Sequence, residues 1–349
     1  MDAASRRAVD ALSRIGFLLE RTREPTYRVR AFRNAASTVA ELPDGELQRR
    51  LDDGTLIELA GIGAVTSAVI AEAVGGEVPS YLAKLEETAT QELVATGDSL
   101  RAVLRGDLHT HSDWSDGGSP IEEMALAARD LGHSYAALTD HSPRLTVANG
   151  LTPERLRKQL AIVRGLNERF AEEAASGVAA PFRLLTGIEV DILEDGRLDQ
   201  EPELLAELDV VVASVHSKLR MPSAEMTPRM VAAIANPHMD VLGHCTGRIV
   251  VGRGRPESEF EAEIVFEACR QFGVAVEINS RPERLDPPKR LLSLAIEMGC
   301  MVSIDTDAHA PGQLDWQPYG CARAEECGVT PDRIINAKPV DDLLAWISG

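Results

Sequence analysis

The sequence Asp107-Leu108-His109-Thr110-His111-Ser112-Asp113-Trp114-Ser115-Asp116-Gly117 places two histidines one residue apart, at the end of a short apolar segment. Side chains two residues apart on a β-strand point to the same side, so both imidazoles can reach one cation. Asp116 follows in a Ser/Asp/Gly turn that can bring a carboxylate to the same place. The stretch predicts a strand that ends in metal ligands. Taken alone, however, two histidines at this spacing are equally typical of a strand with surface histidines that bind no metal.

Four further histidines follow short apolar, often β-branched segments in the same way. They are His141 in Thr-Asp-His, His216 in Ser-Val-His-Ser, His244 in Leu-Gly-His-Cys and His309 in Asp-Thr-Asp-Ala-His. Histidine is the most common metal ligand among side chains, and this repetition favours a metal site over histidines packed in a core. The two remaining histidines, His133 and His238, are not expected to be ligands.

Composition indicates a globular protein with one large and one smaller domain. The chain has 349 residues, of which 44% are hydrophobic and 26% charged. It has no apolar segment of the roughly 18–20 residues needed to cross a bilayer, and we expect neither a signal peptide nor a membrane partner. Five cysteines without zinc-type pairs favour reduced thiols and a cytoplasmic location. The net charge of −19 argues against nucleic-acid binding through overall positive charge.

Seven strand-like segments, mostly separated by helical ones, follow residue 102. The strands are predicted near 103–109, 135–139, 183–190, 209–215, 240–244, 274–279 and 301–305, and the clearest helices near 121–131, 152–175, 227–235, 258–272 and 288–299. This alternation predicts a parallel α/β barrel or sheet. The segment 191–198 differs, because its Asp-Gly turn indicates a small hairpin. In such barrels chemistry gathers at the C-terminal ends of the strands, which is where every candidate ligand lies.

Residues 1–78 predict a small helical domain with a glycine-containing turn, Gly61-Ile62-Gly63, between two short helices. Such a hairpin brings backbone N–H groups to a helix start, where phosphates bind. Residues 1–50 carry ten arginines against seven acidic residues, a local balance of +3. The predicted nucleic-acid contacts are Gly61, Ile62, Gly63, Arg28, Arg30 and Arg33. The alternative is a turn that only lets two helices pack closely.

Two resemblances follow from these motifs. Residues 1–78 resemble the helix-hairpin-helix domain of bacterial family X DNA polymerases. The motifs His-Thr-His, Thr-Asp-His, Gly-Ile-Glu-Val-Asp, Ser-Val-His-Ser, Gly-His-Cys-Thr-Gly-Arg, Glu-Ile-Asn-Ser-Arg-Pro-Glu-Arg-Leu-Asp and Asp-Thr-Asp-Ala-His resemble the polymerase and histidinol phosphatase (PHP) domain. The resemblance implies an α/β fold, with a distorted (β/α)7 barrel at 105–349 that follows a helical connector at 79–104.

The PHP resemblance also implies a site for three divalent transition-metal ions. His109, His111, Glu189 and Asp307 would hold the first ion, Glu189 would bridge to a second held by His216 and His244, and Asp116, His141 and His309 would hold the third. Mixed imidazole and carboxylate ligands suit Zn²⁺, Mn²⁺ or Fe²⁺. Arg248 and Arg281 are candidates to clamp a phosphate, Lys218 is a weaker one, and Asp140 is expected to orient a ligand or act as an acid.

The predicted function is metal-dependent hydrolysis of phosphate esters on DNA ends or nucleotides, as by a 3′-5′ exonuclease or 3′-phosphatase. Nucleic acid would bind through residues 1–78. The segment 79–104 is too short for a nucleotidyl-transfer domain, so no polymerase activity is expected. The first lysine is Lys84, so the N-terminal domain lacks the amine that a Schiff-base lyase needs. The alternatives are a small-molecule phosphomonoesterase of the histidinol phosphatase type and a non-catalytic DNA-binding factor.

Overall fold

A computed structural model describes residues 1–349, which form two compact units, Met1–Glu92 and Leu93–Gly349. The boundary between the two units falls within 79–104, the segment predicted as a helical connector. Its first helix, Ser80–Ala89, buries Leu82 in the core of the first unit. Its last turn, Asp98–Arg101, buries Leu100 in the core of the second unit. The segment is therefore divided because its apolar side chains belong to two different cores.

The first unit is entirely helical. Its elements are α1 (Ala3–Arg21), α2 (Thr26–Ala40), α3 (Glu46–Asp52), a 3-10 turn (Leu56–Glu58), α4 (Ala64–Val74) and α5 (Ser80–Ala89). Helix α1 buries Leu12, Ile15 and Leu19 at helical spacing and packs against α2, α4 and α5. The Asp2 carboxylate caps α1 by accepting the backbone N–H of Ser5 at 2.8 Å. The predicted helical domain is thus confirmed.

The second unit contains seven strands and nine α-helices, together with four short 3-10 helices (Thr146–Ala148, Pro311–Trp316, Pro331–Arg333 and Ile335–Ala337). The strands are β1 (Gly106–Thr110), β2 (Tyr135–Leu138), β3 (Arg183–Asp191), β4 (Val210–Ser214), β5 (Val241–Leu242), β6 (Ala275–Asn279) and β7 (Val302–Asp305). The helices are α6 (Asp98–Arg101), α7 (Ile121–Asp130), α8 (Pro153–Ala175), α9 (Pro202–Leu205), α10 (Ser223–Ile234), α11 (Ala262–Phe272), α12 (Lys289–Glu297), α13 (Gln317–Glu326) and α14 (Val340–Ile347).

All seven strands are parallel and pair in sequence order from β1 to β7. A single bridge between Thr110 and Ala308 joins the two outer strands, so the sheet forms a nearly closed barrel. The register of β1 against β2 shifts between Asp107 and Thr110, which distorts the barrel beside the first histidines. An antiparallel bridge between Ile192 and Leu198 forms the small predicted hairpin. The distorted (β/α)7 barrel is therefore confirmed.

Along the strands, apolar side chains give way to polar ones toward the C-terminal ends. Leu185 on β3 and Ala275 on β6 belong to one buried apolar cluster, which also includes Leu343 of α14. Glu189 and Glu277 lie four and two residues further along the same strands, and therefore on the same face. The apolar cluster supports the layer in which the candidate ligands meet.

No helix of either unit combines the length and the apolar character that crossing a bilayer requires. All five cysteines are free thiols.

Candidate metal centre

Six of the seven strands carry a predicted ligand at or just beyond their C-terminal ends. β1 supplies His109, His111 and, in the following turn, Asp116; β2 supplies His141, β3 Glu189, β4 His216, β5 His244, and β7 Asp307 and His309. Neighbouring parallel strands present their C-terminal ends on one side of a barrel. The structure therefore brings together all nine residues, although they span two hundred positions of the chain.

The Glu189 carboxylate lies among five histidines. Its Oε2 atom is 3.3 Å from His109 Nε2, 3.6 Å from His111 Nε2 and 2.8 Å from His141 Nδ1, and its Oε1 atom is 3.2 Å from His216 Nε2 and 2.9 Å from His244 Nε2. The two oxygen atoms of Glu189 therefore face different histidines. A carboxylate that is shared between two metal ions needs this placement.

Two further groups of possible ligand atoms adjoin Glu189. One contains His109, His111 and Asp307, and the other contains His111, Asp116, His141 and His309; the atoms within each group lie within 4.8 Å of one another. Asp116 Oδ1 is 3.4 Å from both His141 Nε2 and His309 Nε2. These groups contain three of the four residues predicted for the first ion and all three predicted for the third, and His111 belongs to both. A further group, His141, Glu189 and His216, combines residues predicted for different ions.

Electrostatics favour the metal-binding protonation state of Glu189, Asp307 and His111, but not of His109 and His216. Burial opposes protonation of these two histidines, yet nearby carboxylates raise the pKa of His109 well above its usual value and the pKa of His216 to about 9. Burial opposes ionisation of Glu189, but the neighbouring histidines, His216 foremost, hold its pKa well below the usual value. Burial also opposes ionisation of Asp307, yet a hydrogen bond to His111 and nearby cationic groups lower its pKa. Burial holds the pKa of His111 well below its usual value. Ionised carboxylates and neutral imidazoles are the metal-binding forms.

Several buried polar atoms of this cluster have no hydrogen-bond partner. They are His109 Nε2, both ring nitrogens of His111 and of His216, His141 Nδ1, His244 Nδ1 and both carboxylate oxygens of Glu189. An unsatisfied buried polar group costs about 1–3 kcal/mol, and native proteins rarely leave several together. Because divalent cations would satisfy these atoms, the residues present fit a site for more than one metal ion.

A cavity of about 380 Å³ opens onto this cluster. Arg281 and Arg284 line it together with Asp116, His141, His216, Asp307 and His309, and Leu145, Ile249 and Glu283 complete its wall. Arg284 Nε lies 3.1 Å from Asp307 Oδ2. Arg281 donates from Nη1 to the Asp307 carbonyl oxygen at 3.1 Å. Arg284 was not among the predicted residues, and its position within the Arg-Pro-Glu-Arg-Leu-Asp motif was the available signal.

The other two predicted phosphate-binding residues do not line this cavity. The Arg248 guanidinium donates to the carbonyl oxygens of Arg284 and Leu285, and its Nη1 atom lies 3.5 Å from Glu257 Oε1. It therefore holds the loop that carries Arg284 and does not face the ligands. Lys218 is exposed and has a left-handed backbone conformation with φ of 55°.

Asp140 stabilises the loop that follows β1. Its carboxylate accepts the backbone N–H of Ser112 at 2.8 Å, the Ser115 hydroxyl at 2.5 Å and the Gln159 side-chain amide at 2.6 Å. All its contacts are with this loop and with α8, and none is with a candidate ligand atom. Of the two roles predicted for Asp140, the geometry supports the orientation of a ligand. Asp140 would orient Asp116 indirectly, because it holds the loop that leads to it.

Glu277 on β6 was not predicted from the sequence. It is fully buried, and its Oε1 atom lies 2.6 Å from His109 Nδ1. The sequence gives no local sign of this contact, since 168 positions separate the two residues.

In the helical unit, the three predicted arginines have different environments. Arg33 donates from Nε and Nη2 to the two carboxylate oxygens of Glu20, at 3.0 and 2.8 Å. Arg28 donates to Glu24 and to the Tyr81 hydroxyl. Only Arg30 is exposed without such a partner. Two of the three guanidinium groups are thus held by side chains of the unit itself.

The predicted hairpin adjoins α2. Gly61 has φ of +83°, a left-handed conformation that favours glycine, and an added Cβ atom would lie 3.2 Å from Thr38 Oγ1. Ile62 is buried in the helical core. The Gly63 N–H donates to Thr66 Oγ1 at 2.9 Å and is therefore not free for a phosphate.

Comparison with known proteins agrees with both units. A model of the PHP domain matches residues 107–281, and a model of a helix-hairpin-helix domain matches residues 4–76. The barrel and its cluster of histidines and carboxylates thus define a metal-dependent phosphoesterase. The chain belongs to the PHP family, whose relatives are hydrolases of phosphate esters.

Two relatives and one solved structure are similar to this chain to different extents. The chain is 39% identical over 261 residues to the DNA polymerase/3′-5′ exonuclease PolX of Bacillus subtilis, covering 74% of this chain but only 44% of that protein. It is 31% identical over 223 residues to a "Probable phosphatase" of Caldanaerobacter subterraneus subsp. tengcongensis, covering 60% of this chain and 77% of that protein. Histidinol phosphate phosphatase of Lactococcus lactis, solved with zinc, L-histidinol and phosphate, is 18% identical with a TM-score of 0.47, covering 65% of this chain and 94% of that one.

Proposed function

We propose that this chain hydrolyses phosphate esters at DNA ends or in nucleotides, as a 3′-5′ exonuclease or 3′-phosphatase without polymerase activity. The observation that carries the proposal is that Arg281 and Arg284 line the same cavity of about 380 Å³ as five of the nine candidate ligands. Guanidinium groups suit phosphate because they are planar, permanently charged donors. Support for a nucleic-acid substrate comes from the helix-hairpin-helix match and from the exonuclease named among the relatives.

In this proposal the nine clustered residues would hold three divalent ions, and Glu189 would be a ligand of two of them. When bound, such ions lower the pKa of a coordinated water and stabilise charge on phosphoryl oxygens. His309 Nδ1 lies 2.8 Å from the carbonyl oxygen of Asp307. Arg281 Nη1 lies 3.0 Å from the same Nδ1 atom, so both neighbours face Nδ1, and Nε2 is left facing Asp116 Oδ1 at 3.4 Å.

The two cavity arginines bind and orient the phosphate. Arg284 is largely buried, with 18% of its side chain exposed, and its contact with Asp307 fixes it beside the ligand layer. Arg281, with 25% exposed, is held at the Asp307 carbonyl oxygen, and its remaining N–H groups can reach the cavity. A phosphate between them would be oriented toward the ligand cluster.

The size of the cavity limits what can enter. Its volume of about 380 Å³ lies near the lower end of the usual range for ligand pockets, roughly 300–1,000 Å³. A terminal nucleotide or a small phosphate ester fits this volume, whereas a double helix does not. The apolar side chains of Leu145 and Ile249 form part of its wall and exclude water from one side. The cavity therefore favours attack on a strand end over attack within a duplex.

Nucleic acid would contact the helical unit at the hairpin and the neighbouring face of α2. Arg30 and Tyr27 are exposed there, Tyr27 by 74%. Arg30 supplies positive charge, and an exposed aromatic ring can stack on an unpaired base. The proposed contact surface does not include Arg28 and Arg33, because the guanidinium groups of both bind glutamates of the unit.

A second candidate is a small-molecule phosphomonoesterase of the histidinol phosphatase type. It is favoured by the internal pairing of Arg28 and Arg33, which leaves the helical unit little free positive charge. A non-catalytic DNA-binding factor is disfavoured, because such a protein has no need for buried unsatisfied ligand atoms around a cavity.

The test compares substrates on the full-length, metal-loaded protein. p-Nitrophenyl phosphate, histidinol phosphate, nucleotides and 3′-recessed DNA would be assayed side by side for the wild type, Arg30→Ala and the control Arg6→Ala, an exposed arginine on α1. Hydrolysis of DNA that falls in Arg30→Ala alone supports the nucleic-acid proposal. Preferred turnover of histidinol phosphate, with DNA untouched, would establish the second candidate instead.

A further inference from the structure

Strand β6 is the one strand of the barrel without a candidate metal ligand, yet two of its side chains reach the ligand cluster. Glu277 and Asn279 are two residues apart and therefore lie on the same face of β6. Both are fully buried. A polar pair in this position calls for an explanation, because burying a carboxylate is costly unless hydrogen bonds compensate.

Glu277 contacts two ligand-bearing residues from other strands. Its Oε1 atom lies 2.6 Å from His109 Nδ1, and its Oε2 atom accepts the backbone N–H of His244 at 2.5 Å. An imidazole that donates Nδ1–H has its lone pair on Nε2. In His109 that Nε2 atom lies 3.3 Å from Glu189 Oε2 and 3.9 Å from Asp307 Oδ1, inside the ligand cluster.

Asn279 lies between Glu277 and Asp307, the candidate ligand that follows β7. Its Nδ2 atom lies 3.3 Å from both Glu277 Oε2 and Asp307 Oδ2. Its Oδ1 atom accepts the backbone N–H of Arg281, one of the cavity arginines, at 3.1 Å. The pair thus connects ligands of β1, β5 and β7 with the wall of the cavity.

We propose that Glu277 and Asn279 are positioning residues: Glu277 fixes the tautomer of His109, and Asn279 orients Asp307. This inference rests on the proposed metal-binding role of His109 and Asp307. Residues that hold metal ligands in this way raise metal affinity, and their replacement typically costs 10–100-fold.

Glutamine at position 277 provides a sharp test, because it keeps the shape of glutamate but not its two acceptors. Its carbonyl oxygen can accept from either the His109 ring or the His244 N–H, and its amide group must face the other. The His244 N–H is a fixed backbone donor, whereas the His109 ring can change its tautomer, so the carbonyl oxygen should accept from His244 and the amide should face His109. The imidazole must then accept at Nδ1 and carry its proton on Nε2. The atom intended for the metal is then protonated.

The experiment measures metal binding by the full-length Glu277→Gln variant. Asp240→Asn is the matched control, since Asp240 is also a buried carboxylate of the barrel and accepts the Val211 N–H at 2.7 Å before β5 begins. We expect Glu277→Gln to bind Mn²⁺ 10–100-fold more weakly in competition with a chelator and to retain about one ion fewer than the wild type. Asp240→Asn should bind like the wild type, and Asn279→Leu should show a smaller loss than Glu277→Gln. Wild-type affinity and metal content in Glu277→Gln would refute the proposal.

A second measurement needs neither metal nor activity. In metal-free wild-type protein labelled with ¹⁵N-histidine, at a pH at which the His109 ring is neutral, the ring resonances of His109, assigned by their loss in His109→Gln, should show the Nδ1–H tautomer. An Nε2–H tautomer in the wild type would overturn the proposal even if Glu277→Gln did not fold. If the metals bind as expected but no phosphate ester is hydrolysed, the proposed function fails while the positioning role stands.

Discussion

The two units of this protein treat buried charge in opposite ways. In the helical unit, Glu20 is buried and both of its oxygen atoms accept hydrogen bonds from Arg33. In the barrel, Glu189 is equally buried, yet neither of its oxygen atoms has a hydrogen-bond partner, and five histidines surround it. The first arrangement is complete within the protein. The second leaves acceptor atoms that a cation would satisfy, and this difference distinguishes a structural ion pair from a candidate binding site.

The largest effect is expected from Glu189→Gln. Loss of the shared carboxylate should remove more than one metal ion and lower the hydrolysis of p-nitrophenyl phosphate by about 10³-fold or more, because several kcal/mol of transition-state stabilisation are lost. Elemental analysis and steady-state kinetics measure both quantities. Glu20→Gln is the comparison from the helical unit and should leave metal content unchanged. A Glu189→Gln protein that kept a tenth of wild-type turnover would remove Glu189 from the centre.

The next effect concerns the cavity arginine Arg284. Arg284→Ala should lower kcat/KM for p-nitrophenyl phosphate by roughly 10²-fold, since a hydrogen bond between charged groups contributes about 1.5–3 kcal/mol. Arg284→Lys, which keeps the charge but not the planar fork, should recover part of that loss. Arg164→Ala, at an exposed arginine on α8, is the control. An unchanged kcat/KM in Arg284→Ala would mean that phosphate does not bind beside Asp307.

A smaller effect is expected from the ion pair of the helical unit. Arg33→Ala leaves the Glu20 carboxylate buried without its partner and should lower the free energy of unfolding by about 2–3 kcal/mol, somewhat less than for a fully buried pair. The measurement is chemical denaturation followed by circular dichroism. Metal content and hydrolysis of p-nitrophenyl phosphate should not change. Loss of DNA hydrolysis without any loss of stability would instead assign Arg33 to nucleic-acid binding.

The smallest effect is predicted for Arg30. If this exposed side chain neutralises one phosphate, Arg30→Ala should weaken DNA binding a few-fold and reduce the log–log salt slope by about 0.7–0.9. Fluorescence anisotropy at several salt concentrations measures the slope, with Arg6→Ala as control. A slope identical to that of the wild type would place the nucleic acid elsewhere.

Sequence patterns predicted the parts of the structure that depend on local order. Apolar segments located all seven strands, five of which contain or precede a histidine, and strand periodicity predicted that His109 and His111 share one side. Contacts between residues that are far apart in the sequence have no corresponding local pattern. The proximity of Glu277 to His109 depends on how β6 and β1 pack in the closed barrel, and spacing along the chain does not record it.

The same limit explains why the sequence did not show which of the candidate arginines bind other groups of the protein. On α2, Arg28, Arg30 and Arg33 look alike in the sequence, because exposure depends on which neighbours fold against them. Glu20 on α1 reaches Arg33 only after the two helices pack. Arg248 and Arg281 were equivalent candidates for the same reason, and the carbonyl oxygens of the loop at 284–285 engage only the first.

Because the barrel is only nearly closed, the positions of the candidate metal ligands also matter for how its two outer strands are held together. β1 and β7 meet through the single bridge between Thr110 and Ala308, whereas the other neighbouring strands pair along ladders. His109 and His111 lie on one side of that seam, and Asp307 and His309 lie on the other. An ion held by residues of both sides would connect the two strands where backbone hydrogen bonds are fewest. Metal binding would then be coupled to barrel closure, and stability would follow the concentration of free metal by mass action.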